Sequence, residues 1–110
     1  MSKTQDTFTL PLPIEAAHAA CMAAAEADGW RIKDADPQHF YLSQQISLLD
    51  RLYRYPSDCA IFLHREKARK TRVDLFGRIR GFGPLQMRRV KKALKEIQAA
   101  IETAAKDSAR

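Results

Sequence analysis

"CAIFLHREKARKTRVDLFG", residues 59–77, alternates apolar and polar side chains on both sides of the short basic run "KARK". A period of two places successive side chains on opposite faces of a strand. The two halves therefore read as a β-hairpin closed by a polar loop. Ile61 and Leu63 face a core together with Val73 and Leu75, while Phe62, His64, Arg72 and Phe76 fall on the opposite face. An antiparallel sheet needs cover on one face only, so the flanking segments must supply it.

Downstream, Met87, Val90, Leu94, Ile97, Ile101 and Ala104 recur at spacings of three and four, an apolar helical stripe that starts near Pro84 and runs to about residue 105. Upstream, "FTLPL" puts Phe8, Leu10 and Leu12 on one strand face, and Pro11 restricts that strand to an edge or a bulge. Pro13 opens an Ala-rich helix over 13–28 that stops at Gly29. "WRIK" and "HFYLSQQI" add two strands, the second with Phe40, Leu42 and Ile46 of one parity and His39, Tyr41 and Ser43 of the other. Residues 47–57 fit either a strand or a loop exposing Leu49, Leu52, Tyr53 and Tyr55. The expected fold is α+β, an antiparallel β-sheet with two helices on one face in the order β-α-β-β-β-β-α. A single domain is expected over 7–105, between a flexible N-terminus (1–6) and a flexible C-terminus (106–110).

The chain has 110 residues, 45% apolar and 29% charged, the profile of an ordinary globular domain. No apolar run approaches the ~20 residues that span a bilayer. "MSKTQDTFTL" lacks the layout of an export signal, so a cytoplasmic location is expected. Cys21 and Cys59 then read as buried thiols, since neither has a metal-ligand or CxxC spacing. The net charge of +6 is uneven: residues 1–64 carry −3, residues 65–95 carry +10 and residues 96–110 carry −1. Such a basic segment favours anionic partners.

"LPLPIEAAHAACMAAAEADGWRI", "LYRYPSD", "RVDLFGRIRG" and the pair Arg89-Val90 follow one another in an order that resembles a bacterial and plastid domain family of unknown function, numbered fourteen ninety-nine in domain catalogues. The resemblance spans Phe8 to Leu94 and implies the same α+β fold. The chain differs from that family at Ser57-Asp58, where paired acids are usual, and at Phe76-Gly77, where the family carries Arg-Ser. Pro84 and Gln86 stand near the family's polar Asp and Asn ahead of the closing helix.

No catalytic, metal or cofactor constellation is expected, because none of the common nucleophile, zinc or phosphate-loop motifs is present. His39, His64 and Asp74 share a sheet-face parity and read as half-exposed strand residues ahead of a metal or acid–base cluster. Three other sites are weighed. The foremost is an interaction edge for an acidic protein or anionic group, built from Arg78, Arg80, Gly81, Gly83, Arg88, Arg89 and Lys92 around the start of the last helix, weighed against an ordinary solvated basic face. On a helical wheel Arg88, Lys92 and Lys95 point away from the apolar stripe, with like-charge repulsions of roughly 1–2 kcal/mol in total. The second is the outer sheet face of Tyr41, Phe62, Arg72 and Phe76. It is expected to be covered by a second copy of the chain, as a homodimer, or by residues 47–57, and stacking of nucleic acid bases on it ranks last. The third is a carrier pocket for a small apolar ligand between sheet and helices, lined by Phe8, Trp30, Phe40 and Leu63.

Replacing Arg78, Arg80, Arg88 and Arg89 by Gln should weaken salt-sensitive binding to a generic polyanion. Removing Arg65, Lys67, Arg69 and Lys70 should weaken it less. Equal losses in a salt titration would mean that net charge, not position, decides.

Overall fold

Strands β4 (Asp58–Lys67) and β5 (Lys70–Ile79) form the hairpin expected from residues 59–77. In the computed structural model, which describes residues 2–45, 56–81 and 83–108, they lie at the centre of a five-stranded antiparallel sheet. The preceding elements are β1 (Ser2–Leu10), α1 (Ile14–Ala27), β2 (Trp30–Asp36) and β3 (His39–Gln44), and the chain closes with α2 (Pro84–Ser108). The spatial order is β1-β5-β4-β3-β2, so β1 crosses from the start of the chain to pair with the last strand. The α+β class and the order β-α-β-β-β-β-α agree with the sequence. Residues 46–55, which hold most of the segment that fitted either strand or loop, lie outside the described residues.

Hairpin register comes from one extra residue. Lys67 opposes Lys70 at the turn, yet Arg65 opposes Thr71, because the pairing shifts between Arg65 and Lys67. Beyond that bulge Leu63 meets Val73 and Ile61 meets Leu75, so four apolar side chains share the inner face. A one-residue slip would bring Ile61 opposite Phe76 and mix the two faces.

Both helices cover that inner face. α2 lays Val90, Leu94, Ile97 and Ile101 against β1 and β5, each buried and each contributing roughly 1.5–3 kcal/mol relative to exposure. α1 offers Ala17, Ala20, Cys21, Ala24 and Ala25, whose small side chains let it sit against both α2 and the sheet. It ends at Gly29, whose φ of 77° a side chain would resist. The Trp30 indole N–H then donates to the Asp28 carboxylate at 2.9 Å, tying the helix end to β2.

Two boundaries move outward. β1 begins at Ser2, so residues 2–6, expected to be a flexible lead-in, pair with residues 75–79. "SKTQD" has no apolar alternation to announce a strand; its order comes from backbone pairing and from the Ser2 hydroxyl, which donates to the Gly81 carbonyl at 3.1 Å. At the other end α2 extends through Ser108, past the expected limit at 105.

α2 comes closest to the sheet at Gly77. A Cβ there would stand 2.8 Å from Leu94 Cδ1 and 3.0 Å from Val90 Cγ2, both on fully packed side chains. Gly77→Ala should therefore lower stability by about 1–3 kcal/mol, the usual cost of overpacking. Urea unfolding of the single variant and of Gly77→Ala/Leu94→Ala checks this, because the second change makes room and the two losses should not add. An alanine at 77 as stable as glycine would rule out so close an approach.

Candidate functional site

Among the described residues three large apolar side chains are exposed: Leu85 at the start of α2, and Tyr41 and Phe76 on the outer face of the sheet. Tyr41 and Phe76 are 43% and 42% exposed. Their strands do not touch each other; β4 lies between, and its residue in that row is Ala60, opposite Tyr41 on one side and Phe76 on the other. A methyl group thus separates two aromatic side chains standing two strand spacings, ~9–10 Å, apart. Over Ala60 lies a cleft of about 480 Å³, with Tyr41 and Phe76 as walls and Lys3, Gln5, Lys33, Asp58 and Arg78 around them. Lys33 reaches it from β2, where the pairing shifts between Ile32 and Asp34.

Phe62 lies in the next outer-face row, two residues along β4 from Ala60 and outside the lining of the cleft. Its ring centroid is 5.6 Å from that of Phe76 and 6.3 Å from that of Tyr41, both edge-on, and 5.8 Å from the stacked ring of His39. Beyond Phe62 the face turns polar around Asp74. The Thr7 hydroxyl donates to Asp74 Oδ1 at 2.9 Å, His64 Nε2 lies 3.1 Å from Oδ2, and Arg72 Nε lies 3.5 Å from Oδ1. His39 belongs to a different group: its Nε2 is 2.7 Å from Asp36 Oδ2. His39, His64 and Asp74 therefore do not form one cluster. At the exposed β2–β3 hairpin, Asp34, Asp36 and His39 bring their ligand atoms within 4.8 Å of one another.

Residues assigned to the basic edge are distributed over three surfaces. Arg78 lines the outer-face cleft, with its Nε 3.6 Å from Asp58 Oδ2. Arg88 and Lys92 border an open groove along α2, together with Met87, Lys91 and Lys95. Arg89 and Lys92 also border a smaller groove towards Gln44, Ser57 and Ile79. Gly81 and Gly83 take φ of 94° and 112° ahead of the helix, and Arg80 is exposed beside them. No described cavity gathers all seven. Sequence parity placed Tyr41, Phe62, Arg72 and Phe76 on one face, as observed. It did not single out Ala60, Lys3 or Lys33, which become neighbours only through the register of four strand pairs.

No protein-family model matches this chain, and no curated protein matches it by sequence. Solved structures share its fold. A START superfamily protein from Mycobacterium smegmatis superposes with a TM-score of 0.67 at 8% identity, covering 96% of this chain and 97% of its own. The di-domain ARO/CYC BexL from the BE-7585A biosynthetic pathway gives 0.65 at 11% identity and covers 99% of this chain, which spans 46% of that larger protein. The Zhui aromatase/cyclase from a Streptomyces species gives 0.50 at 9% identity, with 99% and 94% covered. Identities this low establish the fold alone.

The space between sheet and helices is filled by the side chains expected to line a pocket there. Trp30, Phe40 and Leu63 are 4%, 1% and 2% exposed and belong to the core, with Phe8 packed against it. The described concavity with aromatic walls is on the opposite face. Two free thiols are part of this core, Cys21 on α1 and Cys59 on β4. Burial pushes each of them up to about 12, and for Cys59 the proximity of Cys21 and Asp58 adds to the effect. At pH 8 only about one thiol in ten thousand would then be ionised, roughly a thousandfold fewer than for a free cysteine of pKa 9.0. Ellman's reagent at pH 8 should leave the native protein unlabelled and release two equivalents after unfolding in urea. Rapid native labelling of either thiol would show that α1 and β4 do not enclose them.

Proposed function

We propose that this chain is a carrier for a small, flat apolar molecule, held over Ala60 between Tyr41 and Phe76. The observation that carries this reading is the register Tyr41–Ala60–Phe76, which sets two half-exposed aromatic walls on either side of the smallest side chain of the row. Aromatic walls with a few polar groups at the edge are the usual make-up of a small-molecule site, and about 480 Å³ falls within the usual size range. The fold shared with a START superfamily protein and with an aromatase/cyclase supports a ligand-handling role by analogy of architecture.

Affinity should be modest, because the cleft is open on one side. At ~0.3 kcal/mol per heavy atom, a ligand of about twenty atoms gains ~6 kcal/mol, a Kd of tens of micromolar. The site thus suits transient loading and release. The anion-docking edge expected from the sequence stays a separate proposal, for α2 and its approach.

N-phenyl-1-naphthylamine, a neutral dye that fluoresces in apolar surroundings, tests the carrier reading. Fluorescence titration should give a one-to-one complex in the micromolar range. Ala60→Phe fills the slot from below without touching the core, and should weaken binding at least about tenfold while the far-ultraviolet circular dichroism stays unchanged. A dye that binds Ala60→Phe as well as the parent sits elsewhere, and the cleft is then not the site.

A further inference from the structure

Resting on the carrier reading, we infer that the natural occupant of the cleft is a planar aromatic anion, oriented with its charged group towards Arg78 and Lys3. The charge map of the outer face is directional. The row that contains Ala60 reads Gln5, Phe76, Ala60, Tyr41 and Asp34 across the five strands, uncharged until the exposed carboxylate of Asp34 beyond Tyr41. One row further along, in register, are Lys3, Arg78, Asp58 and Ser43. Successive same-face residues of a strand are ~6–7 Å apart, so the cationic row begins about one ring length from the aromatic slot. On the other side the next row holds Thr7, Asp74, Phe62 and His39, in which the Phe62 ring stands beside the slot. The Asp74 carboxylate already holds Thr7, His64 and Arg72, so among the described residues that side offers an anion no free cation. A molecule with its ring over Ala60 has one favourable direction for a negative group.

The cationic row is also not explained by the fold. Lys3 stands directly opposite Arg78 in the β1–β5 register, and like charges across a strand pair are destabilising. Asp58 offsets part of this, since its Oδ2 lies 3.6 Å from Arg78 Nε, but a third cation, Lys33, lines the same cleft. Among the described residues neither Lys3 nor Lys33 forms an ion pair. Three cations against one carboxylate leave a positive field at one end of an apolar slot. A carboxylate or sulfonate on a planar ring answers both features, the ring being held by the walls and the anion relieving the Lys3–Arg78 repulsion. Guanidinium and ammonium groups divide the work: Arg78 offers a planar fork to the two oxygens of a carboxylate, and Lys3 and Lys33 act as mobile point charges.

A pair of dyes with one aromatic skeleton separates ring from charge. 8-Anilinonaphthalene-1-sulfonate carries the anion, and N-phenyl-1-naphthylamine lacks it. At low salt the sulfonate should bind the parent about tenfold more tightly than the neutral dye, and the advantage should shrink as salt screens the cleft. Lys3→Gln/Arg78→Gln should abolish the advantage while leaving the affinity for the neutral dye within about twofold, which also shows that the variant is folded. Arg88→Gln/Lys91→Gln/Lys92→Gln removes one more charge, from α2, and should leave the advantage in place. Equal affinity of the two dyes for the parent, or an advantage that survives in Lys3→Gln/Arg78→Gln, overturns the anion assignment. The carrier reading still stands in that case if Ala60→Phe expels the neutral dye. Failure of both dyes to bind the cleft overturns the two together.

Discussion

One additional residue near Glu66 sets the register of the β4–β5 hairpin, and both faces of the molecule depend on it. Past that bulge Ile61 meets Leu75 and Leu63 meets Val73, which gives α1 and α2 a continuous apolar surface to cover. The same offset places Ala60 opposite Phe76 and Phe62 opposite Asp74 on the other side. In a sheet the two faces cannot be adjusted independently, because a shift of one residue exchanges them. The core and the cleft are thus two consequences of a single pairing.

The inner face is resolved by close packing. Gly77 removes the Cβ that would hold α2 away from β5, and the alanines of α1 do the same between the helices. With Phe40, Leu42, Ile61 and Leu75 all essentially inaccessible, little volume is left between the layers for a guest. The outer face is organised in the opposite way. Its aromatic rings touch edge to face but are spread over three strands around an alanine, so the gap between Tyr41 and Phe76 is structural rather than accidental. Among the described residues, solid packing on the helix-covered side and a slot on the other are the basis for the proposed binding face.

Much of this was legible in the chain itself. The alternation at 59–77, the three-and-four spacing from Met87 to Ile101 and the Ala-rich segment ending at Gly29 each determine one element and the face it buries. Strand parity was enough to bring Tyr41, Phe62 and Phe76 together. The β1 strand at residues 2–6 was not legible, because an edge strand of Ser, Lys, Thr, Gln and Asp is stabilised by backbone pairing and carries no hydrophobic period. Nor was the cleft. Its floor, walls and cations come from β1, β2, β3, β4 and β5, and two of the four strand pairs contain a register shift that local patterning does not reveal. The basic segment illustrates the converse: Arg78 and Arg88 are ten residues apart in a continuous cationic stretch, yet one lines the outer cleft and the other a groove along α2.

The space between sheet and helices is filled in this chain, so the location of a bound ligand decides between that space and the outer cleft. Intermolecular nuclear Overhauser contacts from bound N-phenyl-1-naphthylamine measure location directly. A ligand in the outer cleft gives contacts from the naphthyl protons to the Ala60 methyl and to the rings of Tyr41 and Phe76. Contacts instead to the methyl groups of Leu63, Val90 and Ile97 would place the ligand between sheet and helices and contradict the proposed site.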